Sequence, residues 1–414
     1  MSEALALDGG QAVRTEPWPP RRLFTEDEKR AAEALFDRCI ASGNAFWYDG
    51  EEDQAYCREF AAFLGGGYAD AVNSGTAAVY VALRALDIEP FTEIIAPPVT
   101  DMGGVMPIPL INCIPIPADT APNSYNMGPE QIEAAMTERT RAIVVAHIAG
   151  IPADMDPIME LARAKGIPVV EDCAQAHGAM YKGRYVGTIG DVAAFSTMSG
   201  KHHATGGQGG VVFTKREDLY WKVRRASDRG KAFNVDNSHG NVACSLNLNL
   251  DDLSACIGRV QLRKLPHIVA GCQRVAQAID ERCGDLEAVR TIMPPADCKG
   301  AFWFFVFRLD LEKIAVDLET FVRALQEEGL PFAGHYTEPF TEHDWYRNRA
   351  VFGSSGYPWT SPLYKGDADA TFALPNFEAV DHSFFRIKVH ENCGEREAED
   401  VQKALKKVEG AYAG

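Results

Sequence analysis

Residues 200–210, GKHHATGGQGG, set a lysine and two histidines ahead of a run of glycines. Such a triplet can be a metal site, a basic phosphate patch, an activated amine, or a polar loop without chemistry. Metal ligation requires further ligands, and no Glu or Cys stands at ligand spacing from His202 and His203; adjacent residues on a strand also point to opposite sides. No metal site is expected. A lysine among small residues has another option, because burial disfavours its charged form and leaves a nucleophilic amine. The plainer alternatives are a solvated charge for Lys201, and solvent or core hydrogen bonding for the histidines.

Two other stretches could work with that lysine. IPVVED (167–172) is an apolar run ending in Glu171-Asp172, and in open α/β sheets ligands gather at the carboxyl ends of strands. In SGTAAVYVAL, Gly75 lets the backbone approach a ligand, while Ser74 and Thr76 put hydroxyls at a helix start whose free N–H groups favour phosphate. Taken singly, each has a plain alternative: a surface acid, and an N-cap that only caps. The segment AAFSTMSGK adds an apolar strand that leads through Ser196 to the lysine. Together an anion cradle, a strand-end carboxylate and a loop lysine make the set that pyridoxal 5′-phosphate requires. Its phosphate needs a helix N-terminus, its pyridine nitrogen an acid, and its aldehyde an amine.

The surrounding pattern is of the kind that positions such groups. TEDEKRAAEALFDRCIASG predicts a helix with Thr25 as N-cap, Glu28 completing a capping box and Gly43 as stop. SGTAAVYVALRALDI carries Val79, Leu83 and Leu86 at helical spacing, with Ser74 or Thr76 as cap. RAIVVAHI and IPVVED are continuous apolar runs, as in buried parallel strands, and DPIMELARAKG between them is an amphipathic helix closed by Gly166. The alternation implies a mostly parallel sheet flanked by helices. LSACIGRVQLRKLPHIVAGCQRVAQAIDERC predicts one long helix or two consecutive ones. AFWFFVFRLDL (301–311) then predicts a strand, TFVRALQEEGLPF a helix with a glycine stop, and EREAEDVQKALKKVEGAY a last helix. We divide the chain into an extended, proline-rich arm (1–24), a large α/β domain (25–270) and a smaller α+β domain (271–414).

Composition narrows the function. A net charge of −17 without a Lys/Arg block argues against nucleic-acid binding, which depends on phosphate neutralisation. No apolar run reaches the roughly 20 residues of a membrane helix, and no secretory signal is visible at MSEALALDGG. With ten scattered cysteines and no C-x-x-C pair, reduced thiols and a cytoplasmic location are expected.

In order and spacing these segments resemble the DegT/DnrJ/EryC1/StrS sugar aminotransferases. The resemblance runs through LALDGGQAVRTEPWPP, NSGTAAVYVALRAL, AHIAGIPADMD, VEDCAQAHGA, GTIGDVAAFS, the lysine loop, LNLNLDDLSACIGRVQL and LPNF…DVQKALKKVEG. It implies fold-type I architecture and pyridoxal phosphate, with Lys201 as the Schiff-base lysine, Asp172 on the pyridine nitrogen and Gln175 near the ring hydroxyl. Gly75, Thr76 and Ser196 match phosphate contacts. Asn247 matches an asparagine that reaches the neighbouring subunit's phosphate, which implies a homodimer with shared sites. The activity implied is amino transfer from glutamate or glutamine, through pyridoxamine 5′-phosphate, to a keto sugar, often nucleotide-linked, or a keto cyclitol. GGQAVRTEPWPP is similar to cyclitol and aminoglycoside pathway members, and Arg229 or Lys231 in DRGKAF could meet substrate phosphates.

Three departures mark a divergent branch. Where the family stacks an aromatic residue on the cofactor ring, PPVTDMGG has Asp101 and Met102. Gln208 replaces the glutamate of the family's K-x-x-x-x-G-E-G-G, with one extra residue, and Asn249 replaces an arginine two positions after Asn247. Two rivals remain at this point. A family dehydratase would carry histidine at the lysine position, which a register slip to His202 would supply. A non-enzymatic relative would have lost Lys201 or Asp172, and both are kept.

Overall fold

The computed structural model describes residues 4–414. Helix α1 (Glu26–Ser42) opens with the expected capping box of Thr25 and Glu28 and closes at Gly43, whose φ of 73° a glycine adopts without strain. Helix α2 (Glu51–Phe63) follows, then strand β1 (Tyr68–Val72) and helix α3 (Gly75–Ala85). Ser74 caps α3 by accepting from Ala77 N, so Thr76 is left free of that task. Strands β2 (Glu93–Ala96), β3 (Ile114–Pro117), β4 (Thr140–Ala146) and β5 (Val169–Asp172) are almost wholly buried. Helix α4 (Met155–Lys165), between β4 and β5, ends at Gly166 as anticipated. The large sheet is completed by β6 (Val192–Ser196) and β7 (Gly210–Thr214), and helix α5 (Glu217–Ser227) follows.

Strand order is β1-β7-β6-β5-β4-β2-β3. All neighbours from β6 to β3 pair in parallel, and β7 alone runs against the rest. The valines of β4 and β5 are buried between helices on both faces, the setting that lets strands be apolar throughout. The sheet is therefore mostly parallel and helix-flanked, as the alternating pattern implies.

The stretch left open as one helix or two is one. Helix α6 (Asp252–Cys283) runs unbroken past Pro266, with Asp251 as its cap. Its first half packs with the large sheet, through Leu262 and Leu265, and its second half with a separate apolar cluster, through Cys272, Val275 and Ile279. That second cluster lies on an antiparallel sheet made of β8 (Val289–Thr291), β9 (Phe305–Leu309), β10 (Phe332–Ala333) and β11 (Phe384–Ile387), in the order β8-β9-β11-β10. Helices α7 (Leu318–Glu327) and α8 (Glu395–Tyr412) cover it.

The strand predicted over 301–311 is shorter than expected. Ala301 N and Trp303 N donate to Gly150 O and Ala149 O instead of to a ladder partner, and Phe302 turns the chain at a φ of 53°. This diversion sends residues 301–303 past the lysine loop. The arm is largely extended, with one short turn at Ala6–Asp8, but it is packed: Leu5 joins the second core and Arg14 is buried. Residues 340–372 pack back on the large sheet, where Tyr364 Oη donates to Glu93 Oε1 at 2.9 Å.

Candidate active site

The carboxyl ends of the parallel strands and the start of α3 converge on a pocket of about 210 Å³. Gly75, Thr76, Asp101, Asp172, Gln175, Ser196 and Lys201 all line it. Met102 does not; it packs toward α3. Asn247 also lies outside, exposed, its Oδ1 accepting from the carboxamide of Asn249 at 2.6 Å. Arg229 and Lys231 pair with Asp228 away from the pocket.

One end of the pocket is an anion cradle. The N-terminal N–H groups of α3 face it beside the hydroxyls of Thr76 and Ser196, and the chain is tight there: a Cβ on Gly75 would fall 2.5 Å from Ser196 Cβ. At the other end, Asp172 is buried, with Oδ1 accepting from Ala174 N at 3.0 Å. Burial pushes its carboxyl up, against the pull of that N–H and of the Lys201 charge. Gln175 is oriented at both ends, since its Oε1 accepts from Ala149 N and its Nε2 donates to Tyr336 Oη, both at 2.8 Å.

Lys201 sits in a loop that is fastened rather than loose. Thr205 N donates to Thr197 O, and the two threonine hydroxyls meet at 2.8 Å. Arg21 of the arm donates to the carbonyls of Lys201 and His202 at 2.6 and 3.0 Å. Burial lowers the pKa of the lysine ammonium; Asp172 and Asp101 oppose that shift and Lys388 reinforces it. The amine is thus held closer to its neutral, nucleophilic form.

The histidines turn away from the pocket. His202 bonds Ala301 O at 2.9 Å, and His203 bonds the Tyr56 hydroxyl at 2.9 Å. Burial holds them at about 3 and about 4, so both are neutral. Lys201, not His202, faces the pocket, which removes the register slip.

Several lining residues escape sequence reasoning as site residues. Gly103 and Gly104 provide close approach; a Cβ on Gly104 would fall 2.7 Å from Asp172 Oδ2. Gln208, noted only as a departure, lines the pocket. His147 also lines the pocket, with its ring nitrogens turned to Ala153 N and Glu171, whereas Asp101 caps a turn through Gly103 N. The place of His147 just past the end of β4, one residue beyond the register partner of Asp172, is the signal that could have found it. His147 Nδ1 accepts from Ala153 N at 3.1 Å, so Nε2 carries the proton that Glu171 accepts at 3.1 Å. Together with Cys173 these two form a trio with ligand atoms close together, but both histidine nitrogens are already engaged.

The residues present fit pyridoxal phosphate. The cradle suits a phosphate, a pyridinium N–H would give buried Asp172 a charged partner, and condensation with an aldehyde would remove the buried charge of Lys201. The described residues include no helix long and apolar enough to cross a membrane.

Comparison with known proteins agrees with this geometry. The family model described as "DegT/DnrJ/EryC1/StrS aminotransferase family" matches residues 26–383. The spore coat polysaccharide biosynthesis protein SpsC of Bacillus subtilis is 32% identical over 80% of this chain and 86% of its own. A putative L-glutamine:3-amino-2,3-dideoxy-scyllo-inosose aminotransferase of Streptoalloteichus tenebrarius is 31% identical over 99% of this chain and 97% of its own. The crystal structure of an aminotransferase from Psychrobacter cryohalolentis superposes with a TM-score of 0.81 at 29% identity, covering 96% of this chain and 99% of that one. With a model match from α1 through to the start of β11, this chain is an aminotransferase and belongs to the DegT/DnrJ/EryC1/StrS family.

Proposed function

We propose that the protein uses pyridoxal 5′-phosphate to move the amino group of glutamate or glutamine onto a keto sugar or keto cyclitol, with pyridoxamine 5′-phosphate as the intermediate carrier. The observation that carries this reading is the convergence of Lys201, Asp172 and the α3 N-terminus on one pocket. When bound, the cofactor supplies an electron-withdrawing ring that makes the donor's α-hydrogen acidic. The N–H groups at Gly75 and Thr76, with the Thr76 and Ser196 hydroxyls, would hold the phosphate. Asp172 would keep the ring nitrogen protonated, and the Gln175 amide would orient the ring hydroxyl. Lys201 Nζ would take the proton from the donor α-carbon as a base and return it as an acid.

The scyllo-inosose relative, matched over nearly the whole chain, supports glutamine as donor and a keto cyclitol as acceptor. Exposed Asn247 and Leu246, outside their own pocket, support a homodimer in which Asn247 reaches the neighbour's phosphate. Ten free thiols support a reducing compartment such as the cytoplasm. The test is the visible spectrum of the purified protein. A yellow band that fades with glutamine or glutamate, and is absent in Lys201→Ala, is expected. A colourless protein indifferent to added pyridoxal phosphate overturns the reading.

A further inference from the structure

The Lys201 amine rests on a ring. Its Nζ lies 4.0 Å from the centroid of the Trp303 indole, where the negative face of the ring attracts an ammonium. That indole is itself fixed. Its Nε1–H donates at 3.0 Å to Gly200 O, the carbonyl just before the lysine, and its backbone N–H donates to Ala149 O. Tyr336 meets it edge-on, at 6.2 Å and 89°, and the Tyr336 hydroxyl accepts from Gln175. Trp303 is thereby tied to the lysine loop, to the turn after β4 and, through Tyr336, to a pocket side chain. It also lines a second cavity of about 360 Å³, with Trp18, Arg21, His202 and Lys388.

We infer that Trp303 is a positioning residue for Lys201: its indole face holds the ammonium beside the pocket whenever the amine is not bonded to a carbonyl carbon. The inference rests on the reading of Lys201 as the cofactor lysine. Amino transfer releases that amine in the donor's half-reaction and requires it back by the end of the acceptor's, and a flexible four-carbon chain has many other places to go. Asp172 and Asp101 favour its charge, while burial and Lys388 oppose it. His177 and His202 are kept neutral by burial, and Tyr336 stays protonated. The ring therefore adds a directional attraction that brings no second charge into the pocket.

The test reads the amine directly. In full-length apoprotein, arylation of Lys201 by trinitrobenzenesulfonate is followed against pH by peptide mass spectrometry, for wild type, Trp303→Phe and Trp303→Leu. The Leu variant is expected to lower the midpoint by about 0.5–1.5 pH units, with Phe in between. In the holoenzyme, kcat is expected to fall about tenfold in Trp303→Leu with partial rescue by Phe, and KM to move less. Fluorotryptophan incorporation, which weakens the ring face while keeping its shape, gives a second reading should the Leu variant fail to fold; the midpoint is expected to fall with each added fluorine. A midpoint that stays unchanged in folded Trp303→Leu or across the fluorotryptophan series overturns the inference. Failure of the cofactor reading looks different: the visible band then survives Lys201→Ala, and the midpoint shift is unaffected.

Discussion

Glu171 and Asp172, consecutive at the carboxyl end of β5, serve opposite sides of the sheet. Asp172 faces the pocket. Glu171 accepts from His147 Nε2 at 3.1 Å and from the backbone N–H groups of Gly187, Ile189 and Gly190. Burial pushes Glu171 up, but those hydrogen bonds outweigh it and hold the carboxyl below its usual 4.5. One acid is kept fully satisfied, while its neighbour is buried with capacity to spare.

The two should separate by mutation. Asp172→Asn is expected to lower kcat on the order of 10²–10³-fold, because an amide cannot keep a ring nitrogen protonated, and to leave the melting temperature nearly unchanged. Glu171→Gln is expected to cost about 2–3 kcal/mol of stability at pH 7. Since folding depresses the Glu171 pKa, its contribution is present above 4.5 and is lost as pH falls through the lower folded value. Denaturant titrations of wild type and Glu171→Gln should therefore converge as pH falls below 4.5 and through that folded value.

Gly75→Ala tests the cradle. The added methyl would have to fit 2.5 Å from Ser196 Cβ, and overpacking of that kind costs about 1–3 kcal/mol, or roughly 5–150-fold in affinity. Titration of the apoprotein with pyridoxal phosphate, followed by tryptophan fluorescence, should show weaker binding without loss of helical signal. Unchanged affinity would mean that the phosphate sits elsewhere.

His203 gives a prediction in pH. Its folded value of about 4 lies below the usual 6.5, so below pH 6.5 the unfolded chain binds a proton that the native state refuses. Stability is lost on this account as pH falls from 6.5 toward 4, by up to about 1.4 kcal/mol per pH unit. His203→Gln removes the group, so its unfolding free energy should fall less steeply than that of wild type between pH 7 and pH 5. Taking the difference between the two proteins cancels the opposite trend from Asp53, which burial raises to about 8.

Much of this site is legible in the sequence because it is built from short local signals: the α3 cap at Ser74, the acid that ends β5, the lysine after β6. Each is fixed by its own segment, and the parallel sheet brings the segments together. Trp303 and Tyr336 carry no such signal. Trp303 reaches the lysine, and Tyr336 reaches Trp303, where Ala301 and Trp303 bond to the turn at Ala149 and Gly150, a contact between distant parts of the chain. The strand predicted over 301–311 is short for the same reason. His202 and His203 looked available for chemistry because burial, which makes them neutral core groups, cannot be seen in a run of polar letters.

Arg14 and Arg21 of the arm have different tasks, and their variants should diverge. Arg14 Nη1 bonds Asp400 at 2.7 Å and Glu397 at 3.2 Å, both on helix α8 and far along the chain from the lysine loop. Arg21 is held by Glu391 at 3.1 Å and spends its fork on the carbonyls of Lys201 and His202. Arg14→Ala leaves two carboxylates without their cation, and is expected to cost about 3 kcal/mol of stability with kcat intact. Arg21→Ala is expected to cost less in stability but to lower kcat about tenfold, since a loop freed at its backbone no longer holds the amine in reach of its target. Arg21→Lys should not rescue it, because a point charge cannot bond two carbonyls and a carboxylate at once. Melting curves and kcat measured side by side decide the matter: equal activity losses in Arg14→Ala and Arg21→Ala would mean that the arm stabilises the fold without shaping the site.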